Sequence, residues 1–300
     1  MPSPVPPDLD RYVEESRAFY AERGERRGPA SLAEVRQARA PQRRGSDDRT
    51  VAVESIGAGG CVDLRIVVPG TAPVRGVHLD VPGGGFYLSS AAAGDTRNRS
   101  LAESLGVAVV SVDYRLAPEH PWPAAPDDCE TAARWLLEHA GRGFGTTALT
   151  IGGTSAGATL AMTTLLRLRE RGLAGAFLGA SLRYGTYDLS GRGPVGGRIA
   201  DEYFLQAYVG SVPDRSNPDV SPVFGDLRAL PPTLLTVGAD DVLLEDNRVM
   251  AARLAAVGNE VDLRVYPASP HGFTGHPTAM AGAARADQES WLRARFDAAA

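Results

Sequence analysis

The 300-residue chain contains no lysine, only two cysteines and only five histidines. Cys61 and Cys129 are too few for a disulfide framework or a cysteine-rich metal centre. No stretch approaches the roughly 18 consecutive apolar residues of a membrane span. Residues 1–7 carry neither the basic start nor the apolar core of a signal peptide. The expectation is a soluble, cytoplasmic protein with no membrane partner. A net charge of −5 gives no reason to expect nucleic acid or an anionic surface as a partner either. Abundant Ala, Arg and Gly point to a GC-rich coding sequence and say nothing about mechanism. What remains is globular in character: 43% apolar and 22% charged residues, enough for a sizeable core in one α/β domain.

The most informative segment is Gly153-Thr154-Ser155-Ala156-Gly157. An apolar run, 148–152, precedes it, and a helix-compatible stretch, 156–171, follows. A strand, a tight turn with Gly on both sides of a Ser, then a helix is the context of a nucleophile elbow. The turn holds the Ser in a strained backbone conformation, so its neighbours must be small. Its hydroxyl stands at a helix N-terminus, where the dipole favours developing negative charge.

A serine hydroxyl needs a histidine to take its proton and a carboxylate to orient that histidine. In sites built on such an elbow the chain order is Ser, then acid, then His. His78, His120 and His139 precede Ser155, which leaves His271 and His276. His271 stands in Ser269-Pro270-His271-Gly272-Phe273, just beyond the apolar run 261–266, where a loop reaches the carboxyl edge of a sheet. His271 is therefore the expected base. The acid is expected after the strand 233–237, where Asp240 and Asp241 are adjacent and spacing does not choose between them. The alternating run 77–81 leads into Pro82-Gly83-Gly84-Gly85-Phe86, whose side-chain-free backbone suits an oxyanion hole completed by Ala156.

Strands are predicted near 51–55, 61–68, 76–81, 107–113, 149–152, 176–184, 233–237 and 263–266. Helices are predicted at 9–21, 127–140, 156–171 and 247–257. Buried strands alternating with helices imply a mostly parallel sheet covered on both faces. The charged stretch 23–48 is broken by Gly and Pro. The stretch 189–230 interrupts the alternation with aromatics and loops, and reads as an excursion over the carboxyl edge of the sheet. Phe86, Tyr87, Tyr184 and Tyr187 are candidate pocket walls, with core packing as the competing role. Arg115, Glu119 and Asp128 are expected to brace the loop behind the glycines through ion pairs.

Taken in order, these motifs resemble the bacterial hormone-sensitive-lipase-like esterases, an α/β-hydrolase family. The marks are Gly83-Gly84-Gly85-Phe86, Asp113-Tyr114-Arg115-Leu116-Ala117-Pro118-Glu119, Pro123-Ala124-Ala125 with Asp128, the elbow, Asp241 with Leu243, and His271-Gly272-Phe273. The resemblance spans roughly residues 48 to 295, and Thr154 places the chain with the branch that has Thr before the nucleophile. It implies an α/β-hydrolase fold with a cap from the N-terminal segment, 1–47, and an insertion, 189–230, over a catalytic domain of 48–188 and 231–300. By the family's register the triad is Ser155, Asp241 and His271, with the oxyanion hole at Gly83, Gly84, Gly85 and Ala156. The implied activity is serine carboxylesterase on small to medium apolar esters, with no metal or organic cofactor; a homodimer is compatible with it. The same residues would also serve a hydrolase or acyltransferase acting on a natural-product lactone, amide or ester. A non-catalytic small-molecule receptor is a further reading, against which the three retained residues argue. The chain departs from the family at Pro82, where a His usually precedes the glycines. Pro cannot donate a hydrogen bond and fixes φ near roughly −65°.

Overall fold

A computed structural model describes residues 9–23, 28–40, 51–58, 61–70, 73–193 and 202–299. Eight strands form one sheet: β1 (Val51–Ile56), β2 (Val62–Val67), β3 (Val77–Val81), β4 (Ala108–Asp113), β5 (Leu149–Thr154), β6 (Phe177–Arg183), β7 (Thr233–Gly238) and β8 (Val261–Tyr266). Their order across the sheet is β1-β2-β4-β3-β5-β6-β7-β8. The pairings β1/β2 and β2/β4 are antiparallel, and the other five are parallel. The central strands are buried almost throughout, as a sheet covered on both faces requires.

The helices are α1 (Val13–Ala21), α2 (Leu32–Arg39), α3 (Asp95–Leu105), α4 (Ala124–Gly143), α5 (Ala156–Glu170), α6 (Tyr203–Val209), α7 (Leu244–Ala256) and α8 (Ala279–Asp297). Alternation along β4 separates two cores. Ala108, Val110 and Val112 join the cluster that holds α4, α5 and α7, while Val107 and Val109 join α3 and the C-terminal part of α8. No described helix is long and apolar enough to cross a membrane.

The N-terminal region differs from expectation in two places. The helix expected at 9–21 opens as a 3-10 turn, Leu9–Tyr12, before α1. A second helix, α2, forms inside the stretch 23–48 that Gly and Pro were expected to break. Ser31 caps α2 by accepting the Glu34 N–H, and the Glu34 carboxylate accepts the Ala30 N–H at 2.9 Å, close to a capping box. The expected boundary at 47/48 and the Pro-rich segment 1–7 lie outside the described residues, as do 194–201 of the stretch 189–230.

Candidate active site

The elbow joins β5 directly to α5. Ser155 has φ 54° and ψ −122°, a conformation that side-chain-bearing residues rarely adopt. The flanking glycines are required by proximity. A Cβ on Gly153 would run into the Gly157 carbonyl, and one on Gly157 would run into the Val81 carbonyl. The Ser155 N–H is anchored to the Arg183 carbonyl at 2.8 Å, which fixes the turn against β6.

Ser155 Oγ lies 3.0 Å from His271 Nε2. On the far side of the ring, Nδ1 lies 3.1 and 3.0 Å from the two carboxylate oxygens of Asp241. A carboxylate only accepts, so Nδ1 carries the proton and Nε2 is free to accept from the serine hydroxyl. Asp241 Oδ1 also takes the Leu243 N–H at 2.8 Å. Asp240 is exposed, and its N–H is bonded to the Ser269 carbonyl. The tertiary structure thus places Asp241, not its neighbour, on the imidazole. His276 is elsewhere, with its Nδ1 3.0 Å from Tyr20 Oη of α1.

The glycine loop takes conformations open chiefly to glycine: φ is 126° at Gly84 and 61° at Gly85. Among the described residues, the Gly84 and Gly85 N–H groups have no backbone acceptor. Gly83 packs on the elbow so closely that a Cβ would strike the Thr154 carbonyl. Pro82 is held through its carbonyl, which accepts the Tyr114 hydroxyl at 2.8 Å. Burial pushes the Tyr114 phenol far above its usual range, so it remains a donor. A second brace comes from α2. Arg39 donates to the Tyr87 carbonyl at 2.8 Å, to the Ala117 carbonyl, and to Glu119 at 2.9 Å. Arg115 pairs with Asp128 as expected, but Glu119 pairs with Arg39 rather than joining them. The separation along the chain, 80 residues, left no sequence signal for the Arg39 contact.

These elements enclose a pocket of about 560 Å³, within the roughly 300–1,000 Å³ of small-molecule sites. Ser155, Ala156, His271 and the three glycines lie in its wall, together with Phe86, Tyr87 and Tyr184. Phe86 is buried and stacked on Tyr208 of α6 at 4.0 Å. Tyr184 sets its ring edge-on to His271, with centroids 5.0 Å apart, and its hydroxyl lies 2.6 Å from Thr274 Oγ1. Tyr187 does not line the pocket. It is fully buried behind Gly185, where core packing claims the ring. Leu88, Phe204, Val242, Leu243, Arg97 and Arg183 are wall residues that pattern alone did not indicate.

Behind the pocket lies a buried polar layer. Asp80 is fully buried, and burial opposes its ionisation. The charges around it, Arg97 first, together with the Ser111 hydrogen bond outweigh that and hold the carboxyl below its ordinary range. His78 is driven the other way by burial, down to about 4, and so is neutral at pH 7. Its nitrogen lies 2.9 Å from Thr150 Oγ1.

Comparison with known proteins agrees with this architecture. The family described as "alpha/beta hydrolase fold" matches residues 79–275. "Esterase LipI" of Mycobacterium tuberculosis is 32% identical over 264 residues, covering 82% of each chain. "Ethyl acetate hydrolase" of Pseudomonas putida is 34% identical over 207 residues, covering 65% of each chain. The crystal structure of a hormone-sensitive lipase from a metagenome library superposes with a TM-score of 0.76 at 30% identity, over 97% of this chain and 99% of that one. With its mostly parallel sheet, its elbow and these relatives, the chain belongs to the α/β-hydrolase fold family, among the ester hydrolases of its bacterial hormone-sensitive-lipase-like group.

Proposed function

We propose that the chain is a serine carboxylesterase that works through an acyl-enzyme. The observation that carries this reading is the continuous chain of hydrogen bonds from Ser155 through His271 to Asp241. His271 Nε2 takes the hydroxyl proton as Ser155 Oγ attacks the ester carbonyl, and Asp241 stabilises the imidazolium. The N–H groups of Gly84, Gly85 and Ala156 receive the developing oxyanion, and Gly83 shapes the loop. His271 then protonates the leaving alcohol, and water activated by the same imidazole releases the acid. A pocket of this volume suits small to medium esters, and Phe204, Leu88 and Val242 supply apolar wall near the serine. The segments 1–47 and 189–230 act as a cap in this reading. Phe204 of the second segment enters the pocket wall, and α2 of the first backs Tyr87 through Arg39. A homodimer is part of the reading through resemblance to the hormone-sensitive-lipase-like esterases. A cytoplasmic location fits the two unpaired cysteines.

The test is hydrolysis of a p-nitrophenyl ester series by wild type and Ser155→Ala. The variant is expected to lose roughly 10⁴- to 10⁶-fold in kcat with its melting profile retained. An organophosphonate is expected to label Ser155 alone in intact-mass and peptide mapping. Turnover by Ser155→Ala within tenfold of wild type would remove the serine mechanism.

A further inference from the structure

Arg183 ends β6 beside the nucleophile and is 94% buried, with 6% of its surface exposed. Its side chain has no hydrogen-bond or ion-pair partner among the described residues, and its Nε is an orphaned buried donor. Two further orphans adjoin it, Thr154 Oγ1 and Ser181 Oγ. The strand register explains why they cluster. Thr154 pairs with Arg183 and Gly152 pairs with Ser181, so all four residues face the same side of the sheet. Buried donors are almost always satisfied, and three unsatisfied ones on one face point to a missing acceptor.

The charges around Arg183 have the same implication. Asp80 is the carboxylate that faces it, but that group is already committed to Arg97, Asn98 and Ser111. Arg97 and Arg285 face it as like charges, and His78 is neutral at pH 7. Burial first, then Arg97, depresses the Arg183 guanidinium to about 10, which still leaves it cationic. An uncompensated buried charge is strongly destabilising. Arg97 and Arg183 both stand in the wall of the pocket that holds Ser155.

We propose that this end of the pocket is a carboxylate-binding subsite centred on Arg183, and that the preferred esters carry a free carboxylate. A guanidinium fork matches a carboxylate with two parallel hydrogen bonds, and the hydroxyl of Thr154, in the same pocket wall, adds a donor. The substrate class is short esters that are also acids: half-esters of dicarboxylic acids, or acylated hydroxy acids. This rests on the serine esterase reading for its chemistry and not for its binding.

The experiment compares esters that carry a terminal carboxylate with neutral esters that lack it. Mono-p-nitrophenyl glutarate against p-nitrophenyl butyrate puts the carboxylate on the acyl arm. 3-Acetoxypropanoate against propyl acetate, followed by pH-stat, puts it on the alcohol arm. Wild type is expected to favour the charged member of at least one pair by roughly tenfold or more in kcat/KM. Arg183→Met is expected to abolish that ratio, and Arg183→Lys to restore part of it. Arg183→Met is also expected to melt no lower than wild type, since it removes an unpaired buried charge. Should it fail to fold, the wild-type ratios and the lysine variant decide. Equal rates for charged and neutral esters in both pairs, or a ratio indifferent to Arg183, would overturn the subsite. Glutarate binding to wild type by calorimetry separates the two readings. Binding without turnover of any ester would retain the subsite and remove the esterase. Turnover without glutarate binding or charge preference would do the reverse.

Discussion

Asp240 and Asp241 are neighbours with opposite surroundings: one faces solvent, the other is 5% exposed and holds the His271 imidazole. Asp241→Asn is expected to lower kcat by roughly 10³- to 10⁴-fold, because an amide leaves the wrong imidazole tautomer favoured. Asp240→Asn is expected to stay within about threefold of wild type, and steady-state kinetics on p-nitrophenyl acetate compares the two. The reverse ranking would move the acid by one residue. Tyr114 is a second decisive residue. Its hydroxyl on the Pro82 carbonyl supplies an anchor for the glycine loop in a chain that lacks the family's usual histidine there. Tyr114→Phe removes one buried hydrogen bond, worth about 1 kcal/mol of stability. It is expected to lower kcat roughly tenfold with little change in KM, since loop geometry matters most in the transition state. An equal rise in KM at constant kcat would instead assign Tyr114 to substrate binding.

α7 begins beside the loop that carries Asp241, and its third residue, Asp246, is buried. A carboxylate in the first turn gains about 0.3–1 kcal/mol from the helix dipole. Burial outweighs that gain and the backbone N–H groups of Asp188 and Tyr187, and raises the Asp246 carboxyl to about 7. The native state therefore holds this proton more tightly than the unfolded chain. Stability contributed by the protonated form is complete below about pH 4 and is lost as pH rises through about 7. The loss is on the order of 4 kcal/mol. Asp246→Asn is expected to melt roughly 5 °C or more above wild type at pH 8.5, with the gap closing toward pH 4. Parallel melting curves across that range would show that the carboxyl titrates normally. α3 marks the limit of pattern reading at this scale. Its buried positions are Asp95, Asn98, Ala102 and Leu105, a helical spacing whose first two members are polar. Asp95 faces inward to pair with Arg65, and Asn98 faces inward to bond Asp80. An apolar-periodicity argument cannot register a helix that spends half its inner face on ion pairs. α2 was legible in principle, through Ser31 and Glu34, but its neighbours suggested a broken loop.

On the scale of the molecule, α1 and α2 tie the beginning of the chain to the site from behind. Ser16 donates to the Ala268 carbonyl at 2.6 Å, two residues beyond β8, and Arg39 holds the strand-to-loop segments at Tyr87 and Ala117. Removal of residues 1–40 is expected to shift the acyl-chain profile toward longer p-nitrophenyl esters. It should also lower kcat through loosening of the glycine loop. An unchanged profile in a soluble truncation would show that this segment is no part of a cap.

Local pattern sufficed for the strands, the mostly parallel sheet, the elbow and the order of the site residues. Buried strands leave short apolar or alternating runs, and a Ser at φ 54° needs glycines where Gly153 and Gly157 stand. Both are local demands that leave local marks. Spacing along the chain left Asp240 and Asp241 equivalent, and resemblance to a family chose the second. Only the tertiary structure put Asp241 on His271, sent Tyr187 into the core, replaced Arg115 by Arg39 at Glu119, and joined Tyr114 to Pro82. Each of these depends on which way a side chain faces once distant strands and helices have packed. The same holds for Arg183, whose missing partner is visible only when its surroundings are assembled.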